Sequence, residues 1–213
     1  MSDPRRGNEA RYDAMASGYE RMLRLGSLGR MPRIHRVLAE AVDAPDGGRV
    51  VEVGCGPGNV TPHLRAALDD SVSILGIDLS GEMIARARRR AAERGWRNVS
   101  YEKADVTSWE PAAPLDAVVF SLVLSGLPGP LDCLDRALGW LRAGGQVVIL
   151  DDFLMPGRPI QNLVTRLKAP GVGAVPEELP IEEVKARLDD VRVEEFLVKQ
   201  YQLVTGRKPP GQP

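Results

Sequence analysis

The stretch Val50-Val51-Glu52-Val53-Gly54-Cys55-Gly56-Pro57-Gly58-Asn59-Val60-Thr61 decides the fold. It reads as a buried strand, a tight glycine turn and the start of a helix. A carboxylate, Glu52, stands two positions ahead of the first glycine. Gly54 and Gly56 let the backbone turn sharply and approach a ligand closely. A turn of this kind holds a nucleoside-containing cofactor at the carboxyl end of a parallel sheet. The spacing is not the G-x-G-x-x-G of a dinucleotide fold, because the third glycine, Gly58, comes one residue early.

Downstream, Val72-Ser73-Ile74-Leu75-Gly76-Ile77 is an apolar, β-branched run that ends at Asp78. It predicts a second strand with an acid at its carboxyl end. Asp78 lies 24 positions past Gly54, close to the separation at which an acid meets a ribose diol. Residues 101–106 predict a third strand, and this one also ends in an acid, Asp105. Three strand ends in order, each with a fitting residue, say far more than one glycine turn.

These blocks resemble the class I S-adenosylmethionine-dependent methyltransferases. The matching stretches are VVEVGCGPGNVT, GIDLSGEMIARAR, EKADVTSWE, LDAVVFSLVLSGL and LRAGGQVVILDDF. The resemblance runs from about residue 49 to the C-terminus and names no substrate. It implies S-adenosyl-L-methionine as cofactor and S-adenosyl-L-homocysteine as product. It also implies roles. Glu52 orders the glycine turn (Gly54, Cys55, Gly56, Gly58) and the methionine amino group. Asp78, with Leu79 beside it, takes the ribose. Asp105 receives the adenine amino group, with Val106 and Met83 on either side of the ring. Ser121, at the end of the fourth strand, completes the expected set. The opening Arg11-Tyr12-Asp13-Ala14-Met15-Ala16-Ser17-Gly18-Tyr19 resembles small-molecule enzymes of the quinone and sterol branch. There, Tyr12 and Tyr19 are expected to close over the methionine end of the cofactor; the competing reading is that both simply pack as amphipathic aromatics.

Composition fits one domain over 1–213 that buries a core without staples. The formal charge is -1, from 28 basic and 29 acidic residues, which gives no field for gripping a phosphate backbone. The arginines at 86, 88, 89, 90 and 94 read as a solvated helix face rather than a nucleic-acid patch. Two cysteines, Cys55 and Cys133, match no disulfide framework or zinc motif. Cys55 is expected to be structural, a small side chain inside the turn. No signal peptide and no run long enough to span a membrane is seen, so a cytoplasmic protein without membrane insertion, monomeric or homodimeric, is expected.

The remaining chain alternates. Helices are expected over 11–25 and 31–42, the second with Ile34, Val37, Leu38, Ala41 and Val42 on one face. Together, 10–45 would cap the cofactor cleft. Further helices are predicted at 59–68 and 82–94 (Ser80 as N-cap), then around Leu131, Leu134 and Leu138, and at 181–188. Strands are predicted at 116–124 and 146–150, and an antiparallel hairpin at 191–198 and 201–206. The tail, 208–213, reads as disordered. The expected architecture is a Rossmann-like α/β core over 49–206. Seven strands are counted, and the resemblance to the family implies a mixed sheet of order 3-2-1-4-5-7-6, with strand seven antiparallel. Proline-marked residues 153–180 are the candidate lid or substrate wall, with Ile160, Leu163, Val164 and Leu167 as an apolar stripe; an ordinary surface insertion is the alternative.

The sulfonium carries its own activation, so alignment supplies much of the rate. A base is needed only where the acceptor must lose a proton. Four residues are candidates: His35 on the helix over 31–42, His63 after the glycine turn, and Asp151 and Asp152 after the fifth strand. The fourth strand runs into Phe120-Ser121-Leu122-Val123-Leu124-Ser125-Gly126. It lacks the Asn/Asp-Pro-Pro-Tyr motif of adenine and glutamine N-methyltransferases. Phe153 follows Asp151-Asp152, unlike the metal-binding pattern of catechol enzymes, so no metal is expected. Relatives often carry histidine where this chain has Ser125 and Gly126, which widens the pocket. The expected activity is methyl transfer to an O, N or C atom of a small, largely apolar metabolite of secondary metabolism. A cyclisation or rearrangement that uses bound cofactor as a scaffold stays open, because the glycine turn reports binding and not transfer.

Overall fold

The computed structural model describes residues 29–172, 174–197 and 200–211. One sheet contains β1 (Arg49–Val53), β2 (Ser73–Asp78), β3 (Val99–Lys103), β4 (Leu115–Ser121), β5 (Leu141–Asp151), β6 (Asp189–Phe196) and β7 (Tyr201–Arg207). Its order is β3-β2-β1-β4-β5-β7-β6, as the sequence predicts. β7 runs antiparallel to β5 and β6, and the other pairings are parallel. The helices are α1 (Met31–Glu40), α2 (Thr61–Ala67), α3 (Gly81–Glu93), α4 (Pro130–Trp140), α5 (Pro159–Val172) and α6 (Ile181–Lys185).

Successive strand residues point to opposite faces, and both faces of the central strands are apolar. Val51, Val53, Val118, Phe120, Val147 and Ile149 pack with Leu134 and Leu138 of α4 and Val184 of α6. Val50, Ala117, Val119, Val148 and Leu150 pack on the other face with Ile34 and Leu38 of α1 and Leu64 of α2. Parity therefore aims Glu52, the neighbour of Val51 and Val53, at the face covered by α1 and α2. The Ser80 hydroxyl caps α3 by accepting the Met83 N–H at 3.2 Å, as expected of an N-cap.

Several boundaries differ from expectation: β4 stops at Ser121 rather than 124 and α6 at Lys185 rather than 188. β3 starts at Val99 and stops at Lys103, so Asp105 stands beyond the strand. The Asp105 side chain accepts from the Thr107 N–H (2.9 Å) and hydroxyl (2.7 Å), an Asx turn that ends the extended run. β5 begins at Leu141, with a register shift between Leu115↔Leu141 and Ala117↔Gln146. The predicted loose tail is tied down at its start. Lys208 is buried; its N–H donates to the Gly145 carbonyl at 2.8 Å and its ammonium to the Leu141 carbonyl at 3.2 Å. The irregular start of β5 leaves those carbonyls for it. The expected helix over 11–25, with Tyr12 and Tyr19, lies outside the described residues.

Candidate active site

The glycine turn connects β1 to α2. Gly54, Gly56 and Gly58 all have positive φ, at 64°, 53° and 75°, conformations that glycine adopts without strain. At Gly54 space also decides: a Cβ there would lie 2.2 Å from Cγ2 of Val123. The turn is locked to the end of β2. The Cys55 N–H donates to the Ile77 carbonyl (3.0 Å) and the Gly56 N–H to Asp78 Oδ2 (2.8 Å). Asp78 Oδ1 accepts from the Ser80 N–H (2.8 Å). Asp78 thus orders both the turn and the entry to α3.

Glu52 is buried and held from the side. Its Oε2 accepts the Thr61 hydroxyl at 3.3 Å, and Thr61 Oγ1 in turn accepts the Tyr101 hydroxyl at 2.9 Å. Register explains the reach. Glu52 pairs with Gly76 on β2, and Gly76 with Tyr101 on β3. A Cβ on Gly76 would come within 2.6 Å of the Tyr101 ring and 2.8 Å of Cys55 Sγ. The glycine lets the ring lean across β2 toward Thr61. Burial pushes the Glu52 carboxyl up to about 8; the Thr61 bond opposes this and the charge of Asp78 adds to it. The group is therefore mostly neutral at pH 7 until a cation arrives.

Glu52, Gly54, Cys55, Asn59 and Val60 share a cleft with His35, Ser121 and Leu122. α1 brings in His35, whose ring is buried. Desolvation, with a smaller contribution from His63, lowers it to about 4, so it is neutral at pH 7. His63 lies against it edge-on, ring centroids 6.1 Å apart; partial burial, then the charge of Arg36, lowers it too. Of the four base candidates, His35 lines this cleft and His63 packs against it.

Asp151 is spent differently. Its carboxylate accepts from the Ser125 N–H (3.0 Å), the Ser125 hydroxyl (2.7 Å) and the Asp152 N–H (2.8 Å). It caps the short helical turn Leu124–Gly126, where the sequence analysis offered it as a base. Burial raises its pKa while these bonds lower it. Asp152, half-buried, follows at the strand end. The Cys55 side chain packs with Ile84, Ala87 and Tyr101 under α3, and burial holds its thiol well above the usual value. It is a core thiol inside the turn, the structural place the sequence analysis expected, and it also lines the cleft. Met83 and Val106 are both buried. Val106 belongs to the core cluster around β4.

The stripe on α5 is the other departure. Ile160, Leu163 and Leu167 are 80%, 56% and 74% exposed. The opposite, polar side packs inward: Thr165 is buried, and Asn162 bonds both the N–H and the carbonyl of Met155 at 2.9 Å. The apolar stripe therefore faces solvent and does not wall the cleft.

A family model described as a methyltransferase domain matches residues 50–145. Over 154 residues the chain is 33% identical to a phosphatidylethanolamine N-methyltransferase of Cereibacter sphaeroides, with 70% of this chain and 72% of that one covered. The chain belongs to the S-adenosylmethionine-dependent methyltransferase family. It is also 35% identical over 117 residues to a trans-aconitate 2-methyltransferase of an Azoarcus species, covering 55% of this chain and 44% of the relative. The chain spans less than half the length of the trans-aconitate 2-methyltransferases it matches. The crystal structure of the (4+2)-cyclase SpnF superposes with a TM-score of 0.69 at 22% identity, over 84% of this chain and 82% of that one; that likeness concerns the fold.

The family's cofactor combines an ammonium, a ribose diol and an adenine, and the residues present fit such a molecule. A buried carboxyl at a cleft suits a cation. The turn behind it tolerates no side chain at Gly54. An acid stands at the end of the neighbouring strand. Among the described residues, no group of three or more His, Cys, Asp or Glu could hold a metal ion, and no helix is long and apolar enough to cross a membrane. Thr61, Tyr101 and Gly76, which position the methyltransferase carboxyl Glu52, were not singled out from sequence. The strand period would have flagged Tyr101 as facing the Glu52 side once β3 was registered against β2.

Proposed function

We propose that this chain methylates an O, N or C atom of a small, largely apolar metabolite of secondary metabolism, in the cytoplasm. The buried Glu52, braced by Thr61 and Tyr101 beside the glycine turn, carries the reading. When bound, S-adenosyl-L-methionine supplies the sulfonium methyl. Glu52 holds its amino group against Gly54, Cys55, Gly56 and Gly58; Asp78 and Leu79 take the ribose. Asp105, Val106 and Met83 frame the adenine, and Ser121 borders the methionine end. Tyr12 and Tyr19, from the 10–45 cap, close over it. Residues 153–180 supply the lid or acceptor wall, and the whole of 1–213 acts as one domain. The likeness to the quinone and sterol branch rests on the motif at 11–19.

In this reading His35 takes the proton where the acceptor must lose one. It is neutral, lines the cleft with Glu52 and Ser121, and can accept from the acceptor directly or through one water. Asp152 at the rim orients the acceptor, His63 supports the His35 ring, and Asp151 holds the turn that carries Ser125.

Incubation with methyl-labelled cofactor tests the reading, with trans-aconitate, phosphatidylethanolamine and a panel of phenols, amines and enolisable ketones as acceptors. One label in product for each S-adenosylhomocysteine released is expected. Product formed with no label and with cofactor unconsumed would establish the scaffolded cyclisation instead.

A further inference from the structure

The arginines of α3, expected as a solvated face, do not all serve solvent. Ile84, Ala87 and Ala91 make the buried face of this helix. By helical periodicity positions 88 and 90 fall on the two flanks of that face, and 89 points away. Arg88 reaches β3: its Nε and Nη2 donate to the Tyr101 carbonyl at 3.1 and 2.7 Å. Arg90 reaches the glycine turn. Its Nη1 donates to the Gly58 carbonyl at 3.0 Å and to Asn59 Oδ1 at 2.9 Å. A charged donor shared by two oxygens of one turn is a strong hold.

The turn is held differently at its two ends. Its entry is tied to β2 through the Cys55 and Gly56 N–H groups. At its exit, the Gly58 N–H makes a local bond to the Cys55 carbonyl at 3.0 Å. Val60, the N-cap of α2, makes no side-chain capping bond. Among the described residues, no element other than α3 bonds Gly58 or Asn59. Yet Asn59 and Val60 line the cleft with Glu52, and Thr61, the next residue, braces the Glu52 carboxyl. We infer that Arg90 is a positioning residue for the amino-acid end of the cofactor: from α3 it fixes the exit of the glycine turn, and with it the setting of Glu52. The inference rests on the cofactor that the cleft takes and on no acceptor. The residues assigned to the adenosine have holds of their own. Asp78 bonds the Ser80 N–H, the Met83 N–H bonds the Ser80 hydroxyl, and Asp105 bonds Thr107.

Calorimetric titration of the full chain with two ligands tests this. S-adenosylhomocysteine carries the amino-acid end; methylthioadenosine keeps the adenosine and the sulfur and lacks that end. Arg90→Gln should raise the dissociation constant for S-adenosylhomocysteine by about tenfold or more, through lost charge-assisted bonds. For methylthioadenosine the rise should stay within about twofold, as for groups that share no partner. Arg90→Lys keeps a charge but not the planar fork and should fall between wild type and Arg90→Gln. Arg89→Gln removes the same charge from an exposed position of the same helix and should match wild type with both ligands. Circular dichroism at the titration temperature checks that each variant is folded; if Arg90→Gln is not, Arg90→Lys carries the comparison between the two ligands. An equal loss for both ligands, no loss for either, or the same loss in Arg89→Gln overturns the inference and leaves the cofactor site standing. Wild type that binds neither ligand overturns both.

Discussion

Glu52 and His35 share a cleft but answer pH in opposite ways. Glu52 ordinarily titrates at 4.5 and in the fold at about 8. Between those values the unfolded chain has released a proton that the folded chain keeps. Its contribution to stability therefore falls as pH rises through that window and levels off above it. His35 ordinarily titrates at 6.5 and in the fold at about 4. Its contribution is intact above the first value and is lost as pH falls through the second. Glu52→Gln should remove the alkaline part of this profile and unfold at higher urea than wild type at pH near 8. Urea titrations across a pH series check it. The same substitution should weaken cofactor binding by about tenfold or more, because a charged partner for the amino group is gone. In wild type, affinity should rise with pH toward about 8 as the carboxyl becomes able to ionise. His35→Ala should lower turnover by about 10²-fold if it accepts the proton, with the cofactor dissociation constant little changed. Asp151→Asn should act mainly through stability, since its carboxylate caps a buried turn.

At the scale of elements, the site depends on how β1, β2 and β3 register. Gly76→Ala would drive a methyl group into the Tyr101 ring and Cys55. It should lower stability and cofactor affinity together, read by thermal melting and titration. Tyr101→Phe removes only the bond to Thr61 and should weaken the cofactor with a smaller loss of stability. This also marks what the sequence could tell. Alternating apolar runs and helices made the strands legible, and their order came from the resemblance to the family. The glycine turn and the acids Glu52 and Asp78 announced a site because their chemistry is local to strand ends. Tyr101 was not legible as a brace, because its contact with Thr61 spans 40 positions and exists only once three strands are aligned. The grip of Asp151 on Ser125 is likewise a long-range contact between two strand ends. For α5, periodicity announced an apolar face and said nothing of its direction. Its inner polar side is fixed by Met155 and Gln200, which lie outside the helix.

At the scale of the molecule, one sheet has both faces covered, and the candidate site lies at the carboxyl ends of its parallel strands, under α1. Everything proposed there presumes that the cleft between the glycine turn and α1 takes S-adenosylmethionine. Calorimetric titration of the full chain measures that directly. Binding of S-adenosylmethionine or S-adenosylhomocysteine is expected with a dissociation constant of about 1 μM, a free energy near -8 kcal/mol. Asp78→Ala should raise that constant by more than about tenfold through lost charge-assisted bonds. Saturable binding of NAD, with no heat on adding S-adenosylmethionine or S-adenosylhomocysteine to folded protein, would contradict the account.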